Sequence, residues 1–173
     1  PSLNADRVVF CRGWRDSLSP WFNNIQWRPA KGQILTLRIP DFPRGPTVYA
    51  NGLWLTHLAD DAFLCGATYS WSRFDEGPEP EQTATLTDKL NELLTVNYTV
   101  SHVSSGTRPI VAGRQPVIGW SHRSERIGIM NGLGSKGSLY APFIARMMTN
   151  SLINSVPVDA RFDVQARFPP VCD

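Results

Sequence analysis

Long hydrophobic runs are missing from this sequence. No stretch approaches the roughly 20 apolar residues that a membrane-crossing helix needs, and no signal-peptide pattern is visible at residues 1–6. Charge of one sign is also missing. The formal net charge is +2, lysines are few and arginines are scattered, so no patch is built to track phosphates and no nucleic-acid partner is expected. Cysteine is sparse: Cys11, Cys65 and Cys172 are odd in number and far apart. That excludes a disulfide framework and shows no metal spacing; free thiols in a reducing, cytoplasmic compartment are the simplest reading. His57, His102 and His122 each lack a carboxylate or cysteine at ligand spacing, so no metal site is expected. The GxSxG elbow of a serine hydrolase does not occur.

What is there reads as a globular α+β chain. Its 173 residues are 42% hydrophobic and 18% charged, which suits one unit with a proper core. Residues 8–11 open the chain with a short β-branched, apolar strand, an abrupt start that leads us to expect further protein upstream. Residues 14–22 suggest a loop with one helical turn. Residues 34–39 form a strand stopped by Pro40. Residues 48–50, 53–58 and 62–69 read as strands, turning at Asn51-Gly52 and at residues 59–61. Residues 73–82 look like a polar, exposed loop, with the acidic run 75–81 solvated. A helix over 85–94 would be capped by Thr83 or Thr85. A strand over 96–103 precedes a turn-rich stretch, 104–119. Residues 126–130 form a strand, 138–154 the one long helix, and 156 onward an extended tail. Strands outnumber helices and are mostly joined by turns, so we expect a largely antiparallel or mixed sheet with a few helices.

Two stretches carry chemistry. The first is 131–142, NGLGSKGSLYAP, which joins the 126–130 strand to the long helix. Strand, glycine-rich turn and helix start together point backbone N–H groups at an anion or an electron-rich oxygen. Gly132, Gly134 and Gly137 permit close backbone approach, and Lys136 adds a charge. The alternative is a tight turn that needs glycine for its geometry, with Lys136 in solvent. The stretch lacks the Gly-Lys-Ser/Thr ending of a P-loop, and the context of a dinucleotide fingerprint is absent. The second stretch is Gly106-Thr107-Arg108-Pro109-Ile110, where Arg108 sits on stiff, extended backbone. Its guanidinium fork suits a carboxylate; a surface salt bridge is the alternative. Trp54, Tyr69 and Trp71 either line a pocket or belong to a hairpin.

Several pieces, in order, resemble one family: Val8-Val9-Phe10-Cys11-Arg12-Gly13, Lys31-Gly32-Gln33-Ile34-Leu35, Gly66-Ala67-Thr68, the Gly106–Ile110 stretch, Pro116-Val117-Ile118-Gly119, the 131–142 turn and the closing residues 161–168. Together they resemble the C-terminal part of the FAD-dependent oxidoreductases of the D-amino-acid oxidase and glycine oxidase type. The resemblance implies a substrate domain plus the C-terminal part of an FAD-binding domain. Residues 1–28 and 107–173 would be the remnant of the FAD-binding part and residues 29–106 the substrate-binding sheet, within a single 1–173 unit. It implies that Arg108 grips a substrate carboxylate and that Trp54 faces the substrate. It also implies that Gly13, Gly132, Leu133, Gly134, Ser135, Lys136, Gly137 and Ser138 face the FAD cofactor. No protein acid or base is implied as catalytic; positioning dominates. The family's N-terminal GxGxxG segment is absent here, so a missing N-terminal segment or partner chain is expected to complete the site, and the isolated chain is expected to be inactive. The implied reaction is oxidation of a small amine or amino acid. Alternatives are a non-catalytic module that binds a small acid or a protein, and an oxidoreductase acting on modified tRNA bases, against which the small net charge counts.

Overall fold

The computed structural model describes residues 4–74 and 77–170. Cys172 and the acidic pair Asp75 and Glu76 lie outside the described residues. The chain divides into two compact units, one built from the described parts of Pro1–Pro29 and Arg108–Asp173, the other from Ala30–Thr107.

The first unit holds a three-stranded sheet of β1 (Val8–Phe10), β7 (Val117–Ser121) and β8 (Ser124–Asn131), in the order β1-β8-β7. β1 runs parallel to β8, and β7 is antiparallel to it. Both faces are packed by other elements, through the apolar residues of 8–10, 117–118 and 127–130. Period-2 alternation sorts the side chains. Phe10, Val117, Ile127 and Ile129 pack with Phe22 and Phe168 on one face. Val9, Ile118 and Met130 pack with Ile144 and Met148 of helix α2 (Gly137–Asn154) on the other. α2 comes close at Gly128, where an added Cβ would lie 2.9 Å from the Met148 Cε. Pro142 is the sixth residue of α2, inside the helix and past the first turn where proline is tolerated best, so it offers no N–H to the Ser138 carbonyl. The segment 14–22 is two 3-10 turns, Gly13–Leu18 and Pro20–Phe22.

The second unit is a five-stranded sheet with the order β3-β4-β5-β2-β6, made of β2 (Ala30–Arg38), β3 (Val48–Ala50), β4 (Leu53–Ala59), β5 (Ala62–Gly66) and β6 (Thr99–Arg108). Leu35, Cys65 and Leu55 form one cross-strand row. This row faces α1 (Pro80–Leu93), whose Leu86 and Leu90 at i, i+4 close the core.

Four local expectations are corrected. α1 starts at Pro80, not near Thr85, and neither threonine caps it. Thr83 and Thr85 donate their hydroxyls back to the carbonyls of Glu79 and Glu81. The acidic run is not uniformly solvated. The Glu79 carboxylate lies 2.9 Å from the ammonium of Lys31, whose side chain is 2% exposed. Lys31 also donates to the Gly77 carbonyl at 2.7 Å, so a buried cation on β2 draws this loop inward. Within 104–119, residues 104–108 continue β6 and 117–121 form β7. The tail contains α3 (Val164–Arg167), capped by the Asp163 carboxylate, which accepts from Gln165 N–H.

Candidate functional site

The two parallel strands of the first unit end side by side. The last registered pair is Phe10 and Ile129. Three residues past each of them stands a glycine with positive φ: Gly13 at 63° and Gly132 at 73°. Both chains therefore turn at the carboxyl edge of the parallel pair, where open α/β sheets place their ligands. Gly13 leads into the 3-10 turn Gly13–Leu18. Gly132 leads through Leu133 and a 3-10 turn, Gly134–Lys136, into α2.

The glycines have different reasons to be glycine. An added Cβ on Gly132 would stand 3.1 Å from Val111 and 3.3 Å from the backbone nitrogen of Val117, so this position is closed by the protein itself. Its N–H donates to the Asn131 side-chain oxygen at 2.8 Å. Gly134 donates its N–H to the Pro109 carbonyl at 3.0 Å. At Gly13 an added Cβ would meet no atom within 4 Å. Open approach is thus a property of Gly13, while Gly132 and Gly134 shape the turn.

The start of α2 has no side-chain cap, and neither does the 3-10 turn before it. α3, by contrast, is closed by Asp163. Ser135, Lys136 and Ser138 are exposed around the uncapped start. Leading donors of a helix carry partial positive charge and need a partner. Lys136 adds a full one. This donor set fits a group presenting an anionic or electron-rich oxygen, and it fits the electron-rich edge of a flavin on that ground.

Arg108, half-buried, is the last residue of β6. Pro109 and Ile110 then run beside the turn. Pro109 O takes the Gly134 N–H, Ile110 O takes the Arg28 N–H at 2.7 Å, and Trp27 bridges Val111. The arginine is thereby anchored next to the glycine turn through its own following residue. Trp54 belongs to the second unit. Its cross-strand partner is Gly66, and an added Cβ there would sit 2.8 Å from the indole Cζ2. With Leu53 and Leu55 facing α1, alternation puts Trp54 on the opposite face of that sheet.

Two of the histidines have carbonyl partners: a ring nitrogen of His57 is 3.1 Å from Asp60 O, and one of His122 is 3.2 Å from Phe168 O. Among the described residues no group of three potential ligands is arranged for a metal. No described helix is long and apolar enough to cross a membrane. Cys11 and Cys65 are free thiols. Burial pushes the Cys65 thiol up to about 11. Burial, helped by the nearby Asp16 carboxylate, also raises that of Cys11. Two residues that local pattern did not reveal are Asp16 and Asn131, whose side chains meet beneath the two turns.

The parallel strand pair thus ends in two glycine turns at one sheet edge, and one of them opens a helix without a side-chain cap. Residues 2–151 match the FAD dependent oxidoreductase family, and the chain belongs to that family, whose cofactor is FAD. It is 29% identical over 166 residues to the tRNA 5-methylaminomethyl-2-thiouridine biosynthesis bifunctional protein MnmC of Marinobacter nauticus, covering 87% of this chain and 26% of that protein. Its fold is that of iminodiacetate oxidase from Chelativorans sp., with TM-score 0.79, 21% identity, and coverage of 93% of this chain and 46% of the oxidase. The glycine oxidase of Geobacillus kaustophilus is also similar, with TM-score 0.73, 22% identity, and coverage of 95% and 45%. The chain thus spans less than half the length of these solved structures and about a quarter of that curated relative.

Proposed function

We propose that this chain is the substrate-binding and C-terminal part of a flavin-dependent oxidoreductase that oxidises an amine or amino acid. The observation that carries the proposal is the uncapped, lysine-bearing start of α2 at the carboxyl edge of the parallel pair. FAD, when bound, supplies the hydride acceptor. The residues that would hold it are Gly13, with its open approach, and Leu133, Ser135, Lys136, Gly137 and Ser138 around the helix start. Gly132 and Gly134 would act by shaping that turn. The donors would oppose negative charge on an oxygen edge, and the fixed helix dipole needs no rearrangement to do so. Arg108 would hold a substrate carboxylate through its fork, and Trp54 would supply an aromatic wall. No side chain is assigned as acid or base; orientation is the chain's contribution. On this reading residues 1–28 and 107–173 serve the cofactor and residues 29–106 the substrate.

The remaining half of the fold would come from a GxGxxG-bearing segment, on the same polypeptide or a partner chain. β1 is an outer strand of its sheet, and α2 exposes Leu139, Phe143 and Ile153, surfaces that such a segment would cover. A cytoplasmic location suits the free thiols.

A second reading is favoured by the likeness to the tRNA-modifying protein: the amine would be carried on a tRNA base, with phosphate contacts supplied outside this chain, whose net charge is only +2. FAD titration followed by flavin fluorescence, with and without a GxGxxG-bearing half, tests the proposal. Quenching and a bound visible flavin spectrum are expected with the half supplied. No binding in either case would leave a module that binds a small acid or a protein without flavin.

A further inference from the structure

We infer that Asp16 and Asn131 are positioning residues that lock the Gly13 and Gly132 turns into one cofactor-facing edge. The inference rests on the flavin reading above. Asn131 is 2% exposed and stands at the end of β8, and Asp16 is fully buried in the 3-10 turn Gly13–Leu18. The side-chain nitrogen of Asn131 donates to the Gly13 carbonyl at 2.8 Å and to the Asp16 carboxylate at 2.7 Å. Its side-chain oxygen accepts the Gly132 N–H at 2.8 Å. One amide therefore holds both turns.

The orientation of that amide is forced. Turned over, its oxygen would face a carbonyl and a carboxylate at those same distances, with no donor to share, and its NH₂ would face the Gly132 N–H. The direction is set by Asp16, an acceptor that cannot reverse its role while ionised. Asp16 is itself fixed by Arg12, which donates its backbone N–H at 3.0 Å and its Nε–H at 2.7 Å. A buried carboxylate is retained only where such donors satisfy it. The contacts in this group lie between one turn and the other or within one of the two turns. Removing it frees Gly13 and Gly132 to move independently, while the strands beneath keep their own ladder.

The test compares wild type with Asn131→Ala, Asn131→Asp and Asp16→Asn in the complete FAD-loaded protein. Asn131→Asp keeps the acceptor for Gly132 and loses both donors, so it separates the bridge from mere occupancy. Amide exchange without FAD is expected to speed up at least tenfold at Gly132 in Asn131→Ala, with Ile118 and Ile129 unchanged. In all three variants the FAD dissociation constant is expected to rise at least tenfold, and the reduction potential of bound flavin to become more negative. Wild-type affinity and potential in the variants would overturn the positioning role and leave the flavin reading standing. Failure of the wild type itself to hold FAD would overturn both. Loss of protection across the whole sheet would also overturn the inference, because it would make the pair a general fold element.

Discussion

Gly134 donates its backbone N–H to the carbonyl oxygen of Pro109 at 3.0 Å, which ties the turn before α2 to the residue next to Arg108. The position of the arginine backbone is thus set by the same turn that would meet the flavin. Substitution at Arg108 should then act on substrate binding and leave cofactor binding intact. For a substrate with a carboxylate, Arg108→Ala is expected to raise KM by about 10- to 100-fold, the loss of a charge-assisted pair of about 1.5–3 kcal/mol. FAD affinity should stay at the wild-type value. Steady-state kinetics on an amine with and without a carboxylate measures this, and an equal KM change on both substrates would contradict it.

Gly66 makes room for Trp54. An added methyl would stand 2.8 Å from the indole Cζ2 and 3.2 Å from an Ile34 side-chain carbon. Gly66→Ala is expected to cost about 1–3 kcal/mol by overpacking. Tryptophan fluorescence should shift as the ring is displaced. Urea unfolding measures the loss, and a midpoint equal to wild type would show that the indole moves aside freely.

Lys31 and Glu79 form a largely buried pair: Lys31 is 2% exposed at the side chain and Glu79 14%, and Glu79 Oε1 has no hydrogen bond beyond that ion pair. Lys31→Met removes one partner and is expected to destabilise by about 3–5 kcal/mol. The double variant Lys31→Met/Glu79→Leu should recover most of that, since no unpaired charge remains. Equal stability of single and double variants would mean that the carboxylate finds water.

Cys65 links stability to alkaline pH. Its thiol ionises near 11 in the folded protein because burial disfavours the thiolate, against an ordinary value of 9.0. Below pH 9 both states hold the proton and the contribution is intact. Between 9 and 11 the unfolded chain loses its proton first, so stability falls as pH rises, by about 2–3 kcal/mol in all. Unfolding midpoints across this range, compared with Cys65→Ala, measure the slope. The variant should lose that part of it, and an identical slope would place its origin elsewhere.

Much of this molecule is local and could be read from the chain. The 131–142 turn and α2 carry their own signals in glycine spacing and apolar periodicity, and Asn51-Gly52 and Asp60-Asp61 mark the reversals of the second sheet. β7 was harder to read. It has five residues, one of them Gly119 with φ of 122°, and both its faces are buried, so neither alternation nor length announced it. The end of β6 is serine, glycine and threonine, which read as a turn until pairing with β2 fixes them as strand. Glu79 looked solvated because the cation that buries it lies far back in the chain, at Lys31. Asp16 and Asn131 meet across 115 positions, so neither local pattern nor propensity could join them. α3 did leave a sign, an aspartate two residues before the glutamine it caps, in a stretch too short for periodicity.

Anaerobic addition of a small amine carboxylate, such as glycine or iminodiacetate, to the complete FAD-loaded protein tests the central claim most directly. The visible flavin band is expected to bleach with saturation in the amine, and Arg108→Ala to shift the saturation point upward without releasing FAD. A flavin that binds but stays oxidised with every amine offered, free or carried on tRNA, would contradict it.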